Sequence, residues 1–156
     1  MRETQHGASP ASHPPTLTVT VLGEPIPQGS LRAVGRGRLI SDNTRLRPWR
    51  DTVAWQVQQA MRDKGIDGPL EGPLSLTATF TLPRPQSAPR SRWAPHKKPD
   101  GDKLCRALFD SCTAGGAWVD DAQVVTCAWS KVYPADGNLP GVTFTIAPAV
   151  RSEVAA

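Results

Sequence analysis

At 156 residues, with 38% hydrophobic content and 18 basic against 14 acidic side chains, the chain suits one domain with a buried core and a mild positive bias. No segment approaches the roughly eighteen apolar residues of a membrane span, and the polar residues 1–15 hold no signal-peptide core. Three cysteines without zinc-ligand spacing point to reduced thiols, so a cytoplasmic protein with no membrane association is expected.

Residues 1–15 are rich in Pro, Ser, His and Ala and read as a disordered tail. Thr16 to Leu22 alternates β-branched and apolar residues and predicts a strand, stopped by Gly23, Pro25 and Pro27. From Gly29 to Arg50 there are six arginines against one acid, Asp42, and Gly35 and Gly37 offer a short hairpin turn. That arrangement puts Arg32, Arg36 and Arg38 on an exposed flap. A solvated loop is the plain alternative, but arginine forks match phosphate oxygens, which favours a phosphate-binding arm. Pro48 is placed as a first helical residue, and Trp49, Val53, Val57, Ala60 and Met61 follow at helical spacing to a stop at Gly65. Trp55 falls off that stripe, marking either a partner surface or a wider apolar face.

Leu74 to Leu82 is the cleanest alternating strand, with Leu74, Leu76, Ala78, Phe80 and Leu82 on the buried side. Between Pro83 and Pro99, five prolines and five basic residues (Arg84, Arg90, Arg92, Lys97, Lys98) argue for a mobile basic loop. Lys103 to Thr113 is the second helix, with Leu104, Leu108 and Cys112 on one face and Cys105 and Phe109 beside them, so those cysteines read as core. Gly115-Gly116 ends it. Gln123 to Tyr133 and Val142 to Ile146 read as strands, and residues 149–156 as a frayed end. The sum is a single α+β domain over residues 16–148, a small mixed sheet of about four to five strands packed with two main helices.

The chemistry concentrates in Asp100-Gly101-Asp102-Lys103 and in Asp120-Asp121. An EF-hand counted from Asp100 finds Cys105 where glycine is needed and Ser111 where an acid is needed. Phosphate-binding glycine loops, dinucleotide fingerprints and zinc motifs are absent, and two of the three histidines, His6 and His13, fall in the tail. Carboxylate chemistry remains. Asp100, Asp102 and Asp121 are hard oxygen donors suited to Mg²⁺ or Mn²⁺, and three such charges brought together require a cation. Asp102 alone would also serve as a helix cap. Arg106, one turn later, would direct positive charge at the same phosphate, with Asp110 as its helix-surface partner. Asp120 reads as a turn residue before a second ligand. Basic segments on both sides make a metal-dependent phosphodiesterase acting on nucleic acid the economical reading.

Asp100-Gly-Asp102-Lys-Leu-Cys-Arg106, followed by Trp118-Val-Asp120-Asp121-Ala-Gln123-Val, resembles the RusA family of Holliday junction resolvases. That family typically shows an Asp-x-Asp-Asn-x-x-Lys helix and then a Trp-x-Asp-Asp-x-Gln-Val strand start. The resemblance implies an α+β homodimer, often phage- or prophage-encoded, that cuts four-way DNA junctions with Mg²⁺ by paired symmetric nicks. It places Asp100, Asp102 and Asp121 at the metal, and Arg106 where a catalytic lysine is usual. Lys103 replaces the common Asn and adds charge beside the metal, joining Arg32, Arg36, Arg38, Arg92, Lys97 and Lys98 as DNA-binding residues. Two other classes stay open: a less selective flap or fork nuclease, and a non-catalytic dimeric DNA-binding module.

Overall fold

The computed structural model describes residues 15–29, 31–34, 36, 38–41 and 44–152, with backbone alone for the two strands at 31–34 and 38–41. The tail 1–14, the end 153–156 and the side chains of Arg32 and Arg38 lie outside the described residues. The elements in order are β1 (Leu17–Leu22), β2 (Leu31–Val34), β3 (Arg38–Ser41), α1 (Leu46–Asp63), β4 (Leu74–Thr81), α2 (Gly101–Ala114), a short 3-10 turn (Asp121–Gln123), β5 (Val124–Val132) and β6 (Gly141–Pro148).

Four strands form one mixed sheet in the order β1-β6-β4-β5, while β2 and β3 form a separate hairpin. β6 runs antiparallel to both β1 and β4, and β5 runs parallel to β4. Period-two alternation decides the faces. Leu17, Val19 and Val21 pair with Ile146, Phe144 and Val142, which pair in turn with Leu76, Ala78 and Phe80, and all are buried. The opposite face carries threonines, with Thr18 bonded to Thr145 at 3.0 Å and Thr20 to Thr143 at 3.1 Å. Trp49, Val53, Val57 and Met61 of α1 and Leu104, Leu108 and Cys112 of α2 belong to the same buried core. At about 1.5–3 kcal/mol for each large apolar side chain, this core is the main source of stability.

α1 begins two residues before Pro48. In the first turn the N–H that proline lacks would have no intrahelical partner, so the earlier start costs no hydrogen bond. Both helices end as their glycines suggest. Gly65 (φ +66°) and Gly116 (φ +80°) are left-handed, Ile66 N–H reaches back to Met61 and Ala117 N–H to Cys112. These are Schellman ends.

β5 is a strand as its alternation predicts, and its place in the sheet leaves it open. It is the sheet edge, and Val125, Trp129 and Val132 are exposed. Alternation of β-branched residues foretells an extended chain, but covering layers decide burial, and β5 has β4 on one side only. The chain order β4-α2-β5 runs through the 83–99 segment, so both acidic pairs lie on this one crossover.

Candidate metal centre and nucleic-acid interface

α2 starts at Gly101 with Asp100 as its N-cap, two residues earlier than expected. Asp100 is extended (φ −72°, ψ 136°), and its carbonyl accepts the first helical bond from Leu104 N–H at 3.1 Å. Its carboxylate makes no capping hydrogen bond. It lies 3.6 Å from Lys103 Nζ. Asp102 stands exposed in the first turn, where helix N–H groups favour an anion, and has no ion-pair partner among the described residues. Two carboxylates two residues apart thus point oxygen donors at solvent instead of spending them on the helix. That donor set fits Mg²⁺, which takes one or two carboxylates and completes its shell with water and phosphate oxygens.

Three neighbours that the sequence reading passed over hold this helix start. The Trp129 indole covers Gly101, where any Cβ would overlap the ring. Lys131 Nζ donates to the carbonyls of Lys97 (3.0 Å) and Pro99 (2.9 Å), fixing the chain just before Asp100. Gln28 N–H donates to Lys103 O at 3.0 Å, and the Gln28 side-chain oxygen is buried without a partner among the described residues. Trp129 and Lys131 are two apart on β5 and so share a face, a signal present in the alternation. Cys105 shares this packing. Burial, then the neighbouring Cys127 and Asp102, pushes its thiol up to about 12, and burial also raises Cys112. Both are buried core residues, as the helical spacing suggested.

The second acidic pair is built by the turn after α2. Trp118 is buried, donates from its indole N–H to Thr113 Oγ1 at 2.8 Å and packs edge-on against Phe109 at 5.8 Å. Asp120 caps the 3-10 turn, its Oδ1 accepting from Ala122 N–H at 2.8 Å. Gln123 Oε1 accepts from Val119 and Asp120 N–H at 3.1 and 3.3 Å, while its amide donates to Leu70 O (3.0 Å) and Gly72 O (3.1 Å). Asp120 is therefore engaged as a turn residue, and Asp121 is exposed.

Asp121 lines a shallow cleft with Arg50, Asp110 and Asp120, not with Asp100 and Asp102. Asp110 pairs with Arg50 of α1 at 3.7 Å instead of with Arg106. Asp102 is eight residues from Asp110, about 12 Å along the helix axis. Among the described residues no three metal-ligating side chains gather. The expected convergence of Asp100, Asp102 and Asp121 is thus absent within one chain. The reason is direction: β5 meets the first turn of α2 through Trp129, so the start of β5 and the Asp121 turn lie toward the helix's other end. Arg106 is exposed one turn after Asp102, without an ion-pair partner among the described residues.

The basic residues are also organised. Arg84 donates to Arg92 O (2.8 Å) and Pro89 O (2.7 Å) and lies 4.8 Å above the Tyr133 ring. Arg84, Arg92, Lys97 and Lys98 line one cleft with Glu24 and Tyr133. The 83–99 segment lacks helix and strand, as its prolines suggest, yet it is tied at several points. Arg36 is exposed at the β2–β3 turn with φ 60°.

A family model described as endodeoxyribonuclease RusA matches residues 23–147. Crossover junction endodeoxyribonuclease RusA from Escherichia coli K12 is 31% identical over 97 residues, covering 62% of this chain and 68% of that protein. Its counterparts from the O1:K1 and UTI89 strains give the same values. The match takes in both acidic pairs, the basic cleft and the strands β4, β5 and nearly all of β6, and the chain belongs to the RusA family of endodeoxyribonucleases.

Proposed function

We propose that this endodeoxyribonuclease resolves four-way Holliday junctions as a homodimer, in the cytoplasm, with Mg²⁺ as its ion and Mn²⁺ as a substitute. The observation that carries the reading is the Asp100–Asp102 pair, left open to solvent at a helix start beside a basic cleft. Bound there, Mg²⁺ supplies Lewis-acid polarisation of a phosphate oxygen and neutralises charge at the leaving oxygen. Asp100 and Asp102 hold the ion. Arg106 adds a fixed positive charge on the phosphate, and Lys131 and Trp129 keep the helix start in place. Arg36, Arg92, Lys97 and Lys98 grip neighbouring phosphates, so affinity falls with salt.

One chain keeps Asp121 away from that pair, so a two-fold dimer is the simplest way to complete the donor set, with Asp121 of the partner subunit. Two-fold symmetry then yields two equivalent sites and paired nicks in opposing strands. Incubating a labelled four-way junction and a matched duplex with protein and Mg²⁺ tests the reading. Symmetric cutting of the junction alone supports it. Cutting of both substrates indicates a less selective nuclease, and binding without cutting indicates a non-catalytic module.

A further inference from the structure

Trp93 is 88% exposed, on a segment that is otherwise pinned down. Upstream, Ala88 N–H bonds to Pro85 O at 3.0 Å, Arg92 N–H to Pro89 O at 2.9 Å, and the Arg84 guanidinium ties the carbonyls of Pro89 and Arg92 together. Downstream, His96 N–H bonds to Ala94 O at 2.9 Å, Pro95 is buried, and Lys131 holds the carbonyls of Lys97 and Pro99. The indole therefore projects from a held base and takes no part in the core. Other apolar side chains of this chain are exposed as well, Val150 equally so, but Trp93 sets a flat aromatic face on a held base, the shape on which another planar ring can stack.

The surroundings choose its chemistry. Arg90, Arg92, Lys97 and Lys98 flank the ring within the same segment, and no acid occurs between Pro83 and Pro99. An apolar protein partner would be met by apolar neighbours, whereas a polyanion suits this charge. Intact duplex shows phosphates and groove edges, not base faces. Base faces become available where stacking is broken, as at a branch point. We infer that Trp93 is a stacking site for an unstacked nucleobase at the branch of a DNA junction, with the flanking cations on its phosphates. The inference rests on the junction reading above and deepens it. Lysine and arginine contacts supply affinity for any DNA, and Trp93 supplies the preference for branched over linear DNA.

The test measures affinities of the full-length protein for a four-way junction and a duplex of the same sequence in Ca²⁺, with Trp93→Ala and Trp93→Phe alongside wild type. A 2-aminopurine at the crossover reports stacking. The expected result is an approximately tenfold loss of junction affinity in Trp93→Ala, within the range for one base–aromatic stack, with duplex affinity held by the cations. Trp93→Phe recovers most of the loss, and the 2-aminopurine emission change seen with wild type disappears in Trp93→Ala. Wild type preferring the junction while Trp93→Ala keeps that preference overturns the stacking site alone. Wild type with no junction preference overturns both the junction reading and this inference. Loss of dimer mass in Trp93→Ala by sedimentation assigns the indole to a protein interface and overturns it as well.

Discussion

The Trp129 indole covers Gly101, so the helix bearing Asp100 and Asp102 starts beneath a residue of the outermost strand. That contact joins the candidate metal site to the sheet edge. Glycine is needed there for space alone, since Gly101 is not among the left-handed glycines.

Gly101→Ala forces a methyl group into the ring. Alanine's better helix propensity, about 1 kcal/mol, offsets part of an overpacking cost of about 1–3 kcal/mol. A net loss of about 1 kcal/mol is expected in urea unfolding. Trp129 is 45% exposed and can swing outward, so the helix should stay intact while the indole emission shifts. Removing the ring in Gly101→Ala/Trp129→Ala should recover most of the lost stability. Simple additivity of the two substitutions would show that the contact carries no energy.

Asp102→Asn and Asp121→Asn should each abolish junction cutting and leave junction binding intact. Because one chain separates these acids, the two inactive variants should complement each other when mixed. A mixed dimer has one site with both acids intact and one with neither, so single-strand nicks should return without paired cuts. Labelled junctions on a denaturing gel read this directly. A mixture that stays silent would place all the ligands of each site within one chain.

Gln123→Leu removes two acceptor bonds to Val119 and Asp120 and two donor bonds to Leu70 and Gly72. At about 0.5–1.5 kcal/mol each, with incomplete additivity, a stability loss of about 2 kcal/mol is expected. Loosening the turn that carries Asp121 should also lower the cleavage rate while junction affinity holds. Equal losses in rate and affinity would remove the turn from the catalytic assembly.

Cys105 makes the fold sensitive to alkali. Its thiol is raised from 9.0 to about 12, chiefly by burial. The unfolded thiol ionises near its ordinary value, whereas the folded one resists. Stability from the neutral buried thiol is therefore complete below about pH 9 and is lost as pH rises toward 12. Urea midpoints across this range should fall, and Cys105→Ala should remove part of the fall, the buried Cys112 thiol supplying the rest. An unchanged slope would exclude Cys105 as its source. In the native protein at pH 8, iodoacetamide should reach the exposed Cys127 before the buried Cys105 and Cys112.

Local spacing alone determined much of this protein. Alternation in Leu17–Leu22 and Leu74–Thr81, the stripe from Trp49 to Met61 and the stops at Gly65 and Gly116 depend on backbone geometry within a few residues. The two acidic pairs and their resemblance to RusA were equally visible, because motif residues keep their spacing in the chain. Tertiary structure decided what those pairs can reach. The 3.6-residue period set Asp110 beside Arg106, but packing of α1 on α2 supplied Arg50 instead. Nothing local foretold that β5 would be an edge, that Trp129 would cap Gly101, or that Asp121 would lie toward the far end of α2. A sequence states which residues share a face of one element. The direction in which the next element returns across the sheet fixes which ends meet, and here it parts Asp121 from the Asp100–Asp102 pair.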